Sequence, residues 1–223
     1  MAGQSSKRVG VVLSGCGFLD GAEIHEATLT LLFLDRRGVK VTAMAPNVDQ
    51  MHVIDHLIGE PVPGERRGVL AESARLARGQ IVDMAKVKAA DIDALILPGG
   101  YGAAKNLCTF ALDGGAMKVD REVARLLRDM AAAKKPLGFI CIAPVIAAKV
   151  LGELGPRLTV GNDADTAAAM NAFGAQHVEC PVDQIVVDQK NRIVSTPAYM
   201  LGPSIAPVAA GIEKLVAAVL EMA

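Results

Sequence analysis

Tryptophan is absent from this 223-residue chain, and the aromatic residues together make up only 3%. That argues against a stacking platform for bases or sugars. Neither sign of charge prevails: 23 Lys and Arg stand against 24 Asp and Glu, a net of −1. The basic footprint of a nucleic-acid binder is missing, so no nucleic-acid partner is expected. Mean hydropathy is +0.35, but Ala, Val and Leu carry it, and no apolar run is long enough to cross a membrane. No membrane partner is expected either. The four cysteines, Cys16, Cys108, Cys141 and Cys180, form no CxxC pair, which reads as free thiols in a reducing, cytoplasmic setting. The N-terminal stretch, 1–15, has a basic flank but too short an apolar run for a signal peptide, and reads instead as a first strand. What the chain does have is 52% apolar residues, enough for a sizeable core. It shows no repeat, low-complexity segment or linker, so a single domain over 1–223 is expected.

Short β-rich runs alternate with helix-period runs. Strands are expected at Val9–Ser14, Val39–Ala45, Ala94–Leu97 and Leu137–Ile140. The first helix is expected over Glu23–Arg37, with Ile24, Ala27, Leu31 and Leu34 as its apolar stripe. Another is expected over Asp120–Lys134, with Val123, Leu126, Leu127 and Met130 buried. Further helices are read near Ala143-Pro144, over Asp165–Phe173 and over Ser204–Met222. Ala71–Ala77, Met84–Ala89 and Ala103–Leu107 are short helical candidates, and residues 47–70 read as a surface excursion. Ile185–Val187 and Arg192–Ser195 flank Asp188–Asn191 as a hairpin. Helices between successive strands imply βαβ units: an α/β fold with a mostly parallel central sheet, helices on both faces and an added edge hairpin.

In such a sheet, ligands bind beyond the carboxyl ends of the strands. Three loops stand there: Ser14-Gly15-Cys16-Gly17, Pro98-Gly99-Gly100-Tyr101-Gly102 and Cys141-Ile142-Ala143-Pro144. Cys141 lies where a strand turns into a helix, the position of a nucleophile elbow. The helix N-terminus behind it is expected to lower the thiol pKa, and the Ile142 N–H is placed to meet an oxyanion. Gly99 and Gly100 allow close approach of backbone N–H groups. Glu23 and Glu26, at the start of the first helix, are each candidates for the carboxylate that shares the thiol proton, and periodicity does not choose between them. Cys16 and Tyr101 are accessory candidates on the same rim. The glycines at 15, 17 and 21 are spaced GxGxxxG rather than GxGxxG, and no acidic residue ends the second strand, so a dinucleotide cofactor is not expected. His52/His56 and His177/Cys180 lack further ligands at diagnostic spacing, so no metal is expected.

The segments SGCGFLDGAEIHEA at 14–27, LPGGYGAAKNL at 97–107, KPLGFICIAP at 135–144, and CPVDQIVVD and STPAYM at 180–200 resemble the ThiJ/PfpI superfamily of class I glutamine amidotransferase-like proteins, with a closer likeness to its ElbB group. The resemblance implies a flavodoxin-like sandwich and a homodimer. It implies a reactive elbow cysteine at Cys141 and a helix glutamate, which it assigns to Glu26, hydrogen-bonded to the thiol. It assigns the oxyanion donors to the N–H groups of Gly100 and Ile142. The histidine that follows the nucleophile in many relatives is Ile142 here, which speaks against a Cys–His triad and the chemistry that goes with it. The group's implied activity is a glyoxalase reaction on a small dicarbonyl substrate without cofactor. The alternatives are a redox or carbonyl-stress sensor using the same thiol, and a hydrolase or deglycase of acyl or glycated groups.

Overall fold

A computed structural model describes residues 7–223, so the first six residues of the N-terminal stretch read as a first strand lie outside the described residues. The backbone runs β1 (Arg8–Val12), α1 (Ile24–Asp35), β2 (Lys40–Ala45), β3 (Ile54–Asp55), β4 (Glu60–Pro61), α2 (Val69–Leu76), β5 (Ile81–Asp83), β6 (Ala94–Leu97), α3 (Tyr101–Lys105) and α4 (Phe110–Asp113). It continues through α5 (Arg121–Ala132), β7 (Leu137–Ile140), α6 (Pro144–Leu151), β8 (Arg157–Leu158), α7 (Ala164–Ala172), β9 (Gln176–His177), β10 (Val186–Asp188), β11 (Ile193–Thr196) and α8 (Ile205–Met222). Seven strands form one sheet in the order β10-β11-β7-β6-β1-β2-β5. All neighbours are parallel except β10 and β11, the expected hairpin, where Val187 faces Val194. This is the flavodoxin-like α/β fold.

The central strands β6 and β7 are buried along their whole length, as continuous apolar runs covered on both faces must be. One face packs on α5 and α6 through Leu126, Leu127, Val145 and Ile146. The other packs on α1 and α8 through Ala27, Phe33, Leu34, Ile212 and Leu215. Chain direction reverses at the centre: β1 leads through α1 to β2 on one side, while β6 joins β1 on the other. The ends of β1, β6 and β7 thus border one crevice, the place where such sheets bind ligands.

The apolar stripe read for α1 is corrected. Its buried face is Glu26, Ala27, Thr30, Phe33 and Leu34, whereas Ile24 is exposed and Leu31 only partly covered. A carboxylate and a hydroxyl occupy the inward face, so hydrophobic spacing pointed beside it. Strand β5 stands at the sheet edge without having been read. It is three residues long and none of its side chains is fully buried, too short for periodicity to register. The excursion over 47–70 contains the small β3–β4 ribbon, and Met84–Ala89 shrinks to a single 3-10 turn, Met84–Lys86.

Candidate active site

Cys141 follows the last residue of β7 with φ +62°. Its N–H donates to the Thr196 carbonyl (3.0 Å), and the Ala143 N–H returns to the Ile140 carbonyl (3.1 Å), closing the turn before Pro144 opens α6. A non-glycine residue in this region costs about 1–3 kcal/mol, here held by the strand and the helix on either side. The residue is 7% exposed, and the Glu26 carboxyl and the N–H groups of Gly100 and Ile142 stand close enough to its sulfur to act on its ionisation.

Glu26 is fully buried and ties three segments together. Its Oε2 accepts the Gly99 N–H at 2.9 Å and its Oε1 accepts the Tyr199 N–H at 3.2 Å. Glu23 caps α1 by accepting the Glu26 N–H at 2.7 Å, and its own N–H donates to the Gly99 carbonyl at 3.0 Å. Gly99 has to lack a side chain: a Cβ there would overlap the Cys141 Cβ and lie 2.8 Å from Glu26 Oε2. Gly100 sits at φ +93°, where a Cβ would also come within 2.5 Å of the Gly21 carbonyl. Gly99 and Gly100 therefore let the loop after β6 approach both the thiol and the carboxyl.

Burial pushes Glu26 up to about 8, with the Glu23 charge adding to it and the Tyr199 and Gly99 N–H groups opposing. The expected lowering of the Cys141 pKa is corrected. Burial, followed by the Glu26 charge, raises the thiol well above its ordinary value, against the two backbone N–H groups. The magnitudes explain the outcome. A helix terminus offers about 0.3–1 kcal/mol, whereas full burial shifts a group by up to about 3–5 pKa units. Two anions would face each other in a dry wall, so the pair holds on to a proton.

A cavity of about 730 Å³ opens over this pair. Cys141, Ile142, Gly100, Glu23 and Tyr101 line it; Glu26 lies behind the thiol. The structure does not bring Cys16 here. Cys16 borders a separate cavity of about 290 Å³ with Asp20, His56, Arg67 and Glu72, because its loop turns at Gly15 and Gly17, both at positive φ. Its thiol is raised by burial, with Arg75 opposing and Glu72 and Asp20 reinforcing. Among the described residues, no three His, Cys, Asp or Glu side chains gather as a metal site.

Several lining residues carried no separate signal in the sequence. His25 Nδ1 lies 2.8 Å from the Tyr199 hydroxyl, so a histidine borders the cavity although none follows the elbow. Phe18, Phe110, Asp163 and Met200 join it from four distant segments. The segments quoted above at 14–27 and 195–200 contain Phe18, His25, Tyr199 and Met200, whereas Phe110 and Asp163 lie outside every one of them.

The geometry can be set beside known proteins. The profile of the DJ-1/PfpI family matches residues 16–199. The chain is 51% identical to the ES1 protein homolog, mitochondrial, of Rattus norvegicus, over 96% of this chain and 84% of that protein. It is equally 51% identical to the human glutamine amidotransferase-like class 1 domain-containing protein 3, mitochondrial, over 96% and 83%. The solved structure of an isoprenoid biosynthesis protein with an amidotransferase-like domain from Ehrlichia chaffeensis superposes with a TM-score of 0.90, at 37% identity over 97% of this chain and 99% of that one. Both curated relatives are named as mitochondrial, which overturns the cytoplasmic expectation. Unpaired cysteines report a reducing environment, and that property does not separate one intracellular compartment from another. A profile spanning most of the chain, relatives at half identity and a near-complete structural match lead to one conclusion: the chain belongs to the DJ-1/PfpI family.

Proposed function

We propose that this protein is a cofactor-independent glyoxalase, converting an α-oxoaldehyde to a 2-hydroxy acid with Cys141 as nucleophile and Glu26 as proton carrier. One observation carries the reading: a buried thiol and a buried carboxyl stand side by side against Gly99 at the floor of a cavity, with the backbone N–H groups of Gly100 and Ile142 beside the sulfur. The Glu26 carboxylate takes the thiol proton. The thiolate attacks the aldehyde carbon; a C–S bond forms, and the carbonyl electron pair moves to oxygen, which takes the proton back from Glu26. This hemithioacetal loses its C1 proton to Glu26 to give an enediolate; Glu26 returns that proton to C2, and the C1 hydroxyl proton passes to the C2 oxygen, leaving a thioester. C1 is thereby oxidised and C2 reduced within one molecule, so no external oxidant is needed. Water hydrolyses the resulting thioester and restores the thiol. In this reading the N–H groups of Gly100 and Ile142 receive the developing oxyanion. The homodimer implied by the resemblance belongs to the same proposal. So does a link to isoprenoid synthesis, which rests on the description of the Ehrlichia chaffeensis protein.

The test is 2-hydroxy acid formed per protein from excess methylglyoxal without glutathione. Wild type is expected to turn over many times. Cys141→Ala should abolish product, and Glu26→Gln, which keeps the shape but removes the base, should lose about 100-fold or more. One equivalent or less in wild type would instead identify a stoichiometric sensor of carbonyl or oxidant.

A further inference from the structure

Glyoxal and methylglyoxal have four and five heavy atoms. At about 30 Å³ per water-sized group, either fills only a small part of a cavity of about 730 Å³. That volume is on the scale that encloses ligands of drug size, about 300–1,000 Å³. Much of the surplus space is walled by carbon. Phe18, Tyr101, Ala104, Phe110, Ile142 and Met200 line it with carbon. Phe18 and Tyr101 stand 48% and 50% exposed on its rim, and aromatic surface gathered beside a reactive group marks a place where apolar matter binds.

Charge narrows the occupant further. No Lys or Arg lines the cavity, and its ionisable residues other than Cys141 and the two tyrosines are Glu23, His25 and Asp163. Lys105, beside the rim, commits its ammonium to the Leu19 carbonyl (3.1 Å) and lies over the Tyr101 ring. Nothing in the lining offers a fixed counter-charge to a phosphate or carboxylate, and two carboxylates would repel one. Three polar groups stand together, Glu23 at the N-cap of α1, His25 and the Tyr199 hydroxyl, His25 and Tyr199 being 2.8 Å apart, while Asp163 and Thr166 enter separately from the start of α7. The reactive end of a ligand thus meets a polar group of side chains, and the carbon-lined wall of Phe110, Met200 and Tyr101 is left for its remainder.

Resting on the glyoxalase reading above, we infer that the preferred substrate is a neutral α-oxoaldehyde bearing an aryl or branched-alkyl group on its keto carbon. Its aldehyde carbon meets the Cys141 sulfur, and the apolar group lies against Phe110, Met200 and Tyr101. The chemistry is unchanged: R–CO–CHO and water give R–CHOH–COOH, with the C1 hydrogen moved as a proton to C2 and the thiol regenerated. Anionic conjugates and phosphorylated aldehydes are poor substrates.

The experiment measures kcat/KM of the wild-type protein for glyoxal, methylglyoxal and phenylglyoxal, following the 2-hydroxy acid and dividing each value by that aldehyde's rate with a free thiol. Phenylglyoxal is expected to exceed methylglyoxal by about tenfold or more, and Phe110→Ala to lower that ratio about tenfold. A ratio near one, or one that Phe110→Ala leaves unmoved, overturns the inference while leaving the glyoxalase reading intact. Absence of product from all three aldehydes overturns both. A second measurement then separates the two failures: alkylation of Cys141 by phenacyl bromide and by iodoacetate, each relative to N-acetylcysteine. A preference of about tenfold for the neutral aryl reagent would locate the fault in the reaction assigned. No preference would locate it in the apolar pocket as well.

Discussion

Glu26 and Cys141 are held away from their ordinary ionisation by the same dry wall; the Glu26 charge makes the thiol harder to ionise, while the thiol slightly eases the ionisation of Glu26. This has a consequence for stability that needs no substrate. In the unfolded chain Glu26 titrates near its ordinary 4.5, and in the folded protein near 8. Between those values the folded state holds a proton that the unfolded state has released. Stability contributed by this group is therefore complete below the lower value and is lost as pH rises to the upper one, by at most about 1.4 kcal/mol per pH unit. Glu26→Gln, which cannot ionise, should flatten the fall. Denaturant unfolding at several pH values across the window reads the difference, and parallel curves for the two proteins would refute it. The candidate residues were legible to unequal degrees. Cys141 was visible because a strand-to-helix turn is a local pattern. Periodicity could not choose Glu26 over Glu23, because two carboxylates three apart at a helix start look alike until one is seen to face the sheet; only the family resemblance named Glu26. The thiol's raised pKa was also out of reach, since it depends on what is packed around it.

At the scale of elements, α5 illustrates what periodicity can read. Val123, Leu126, Leu127 and Met130 are all buried as spaced, and the opposite face carries Arg125 bridged to Glu122 and Asp129. Asp120 starts the helix by accepting the N–H groups of Glu122 (2.9 Å) and Val123 (3.1 Å). Asp120→Ala should cost about 1 kcal/mol of stability, measurable as a lowered denaturation midpoint with an unchanged slope. No loss would mean that another group caps the helix. Helix α1 illustrates the failure of the same rule: its inward face serves chemistry, so its hydrophobic pattern is diluted. The strands missed or misplaced, β3, β4, β5, β8 and β9, are two or three residues long. Such pieces are strands only because a neighbour supplies their hydrogen bonds, a condition their own residues do not encode.

At the scale of the molecule, the crevice is a product of strand order. The chain leaves β1 on one side and returns through β6 on the other, and the loops of β1, β6 and β7 meet where it does so. Opposite chemistry marks the tip of the β3–β4 ribbon, where Leu57 is 92% and Ile58 67% exposed. Apolar side chains this bare commonly meet a partner surface, and for the proposed homodimer they are the natural contact. Sedimentation should therefore give about twice the 23.2 kDa chain mass, and the double substitution Leu57→Asp/Ile58→Asp should return the monomer. A monomeric wild type would sink this assignment. By itself the sequence determined the α/β alternation, the parallel sheet with its hairpin, the elbow at Cys141 and the glycine loop beside it, because each is written in contiguous residues with a characteristic spacing. Tertiary structure alone decided the burial that sets the ionisation of the Cys141–Glu26 pair, the separation of Cys16 from it, and the apolar cavity gathered from distant segments. Those properties belong to surroundings, and surroundings exist only once the chain has closed on itself.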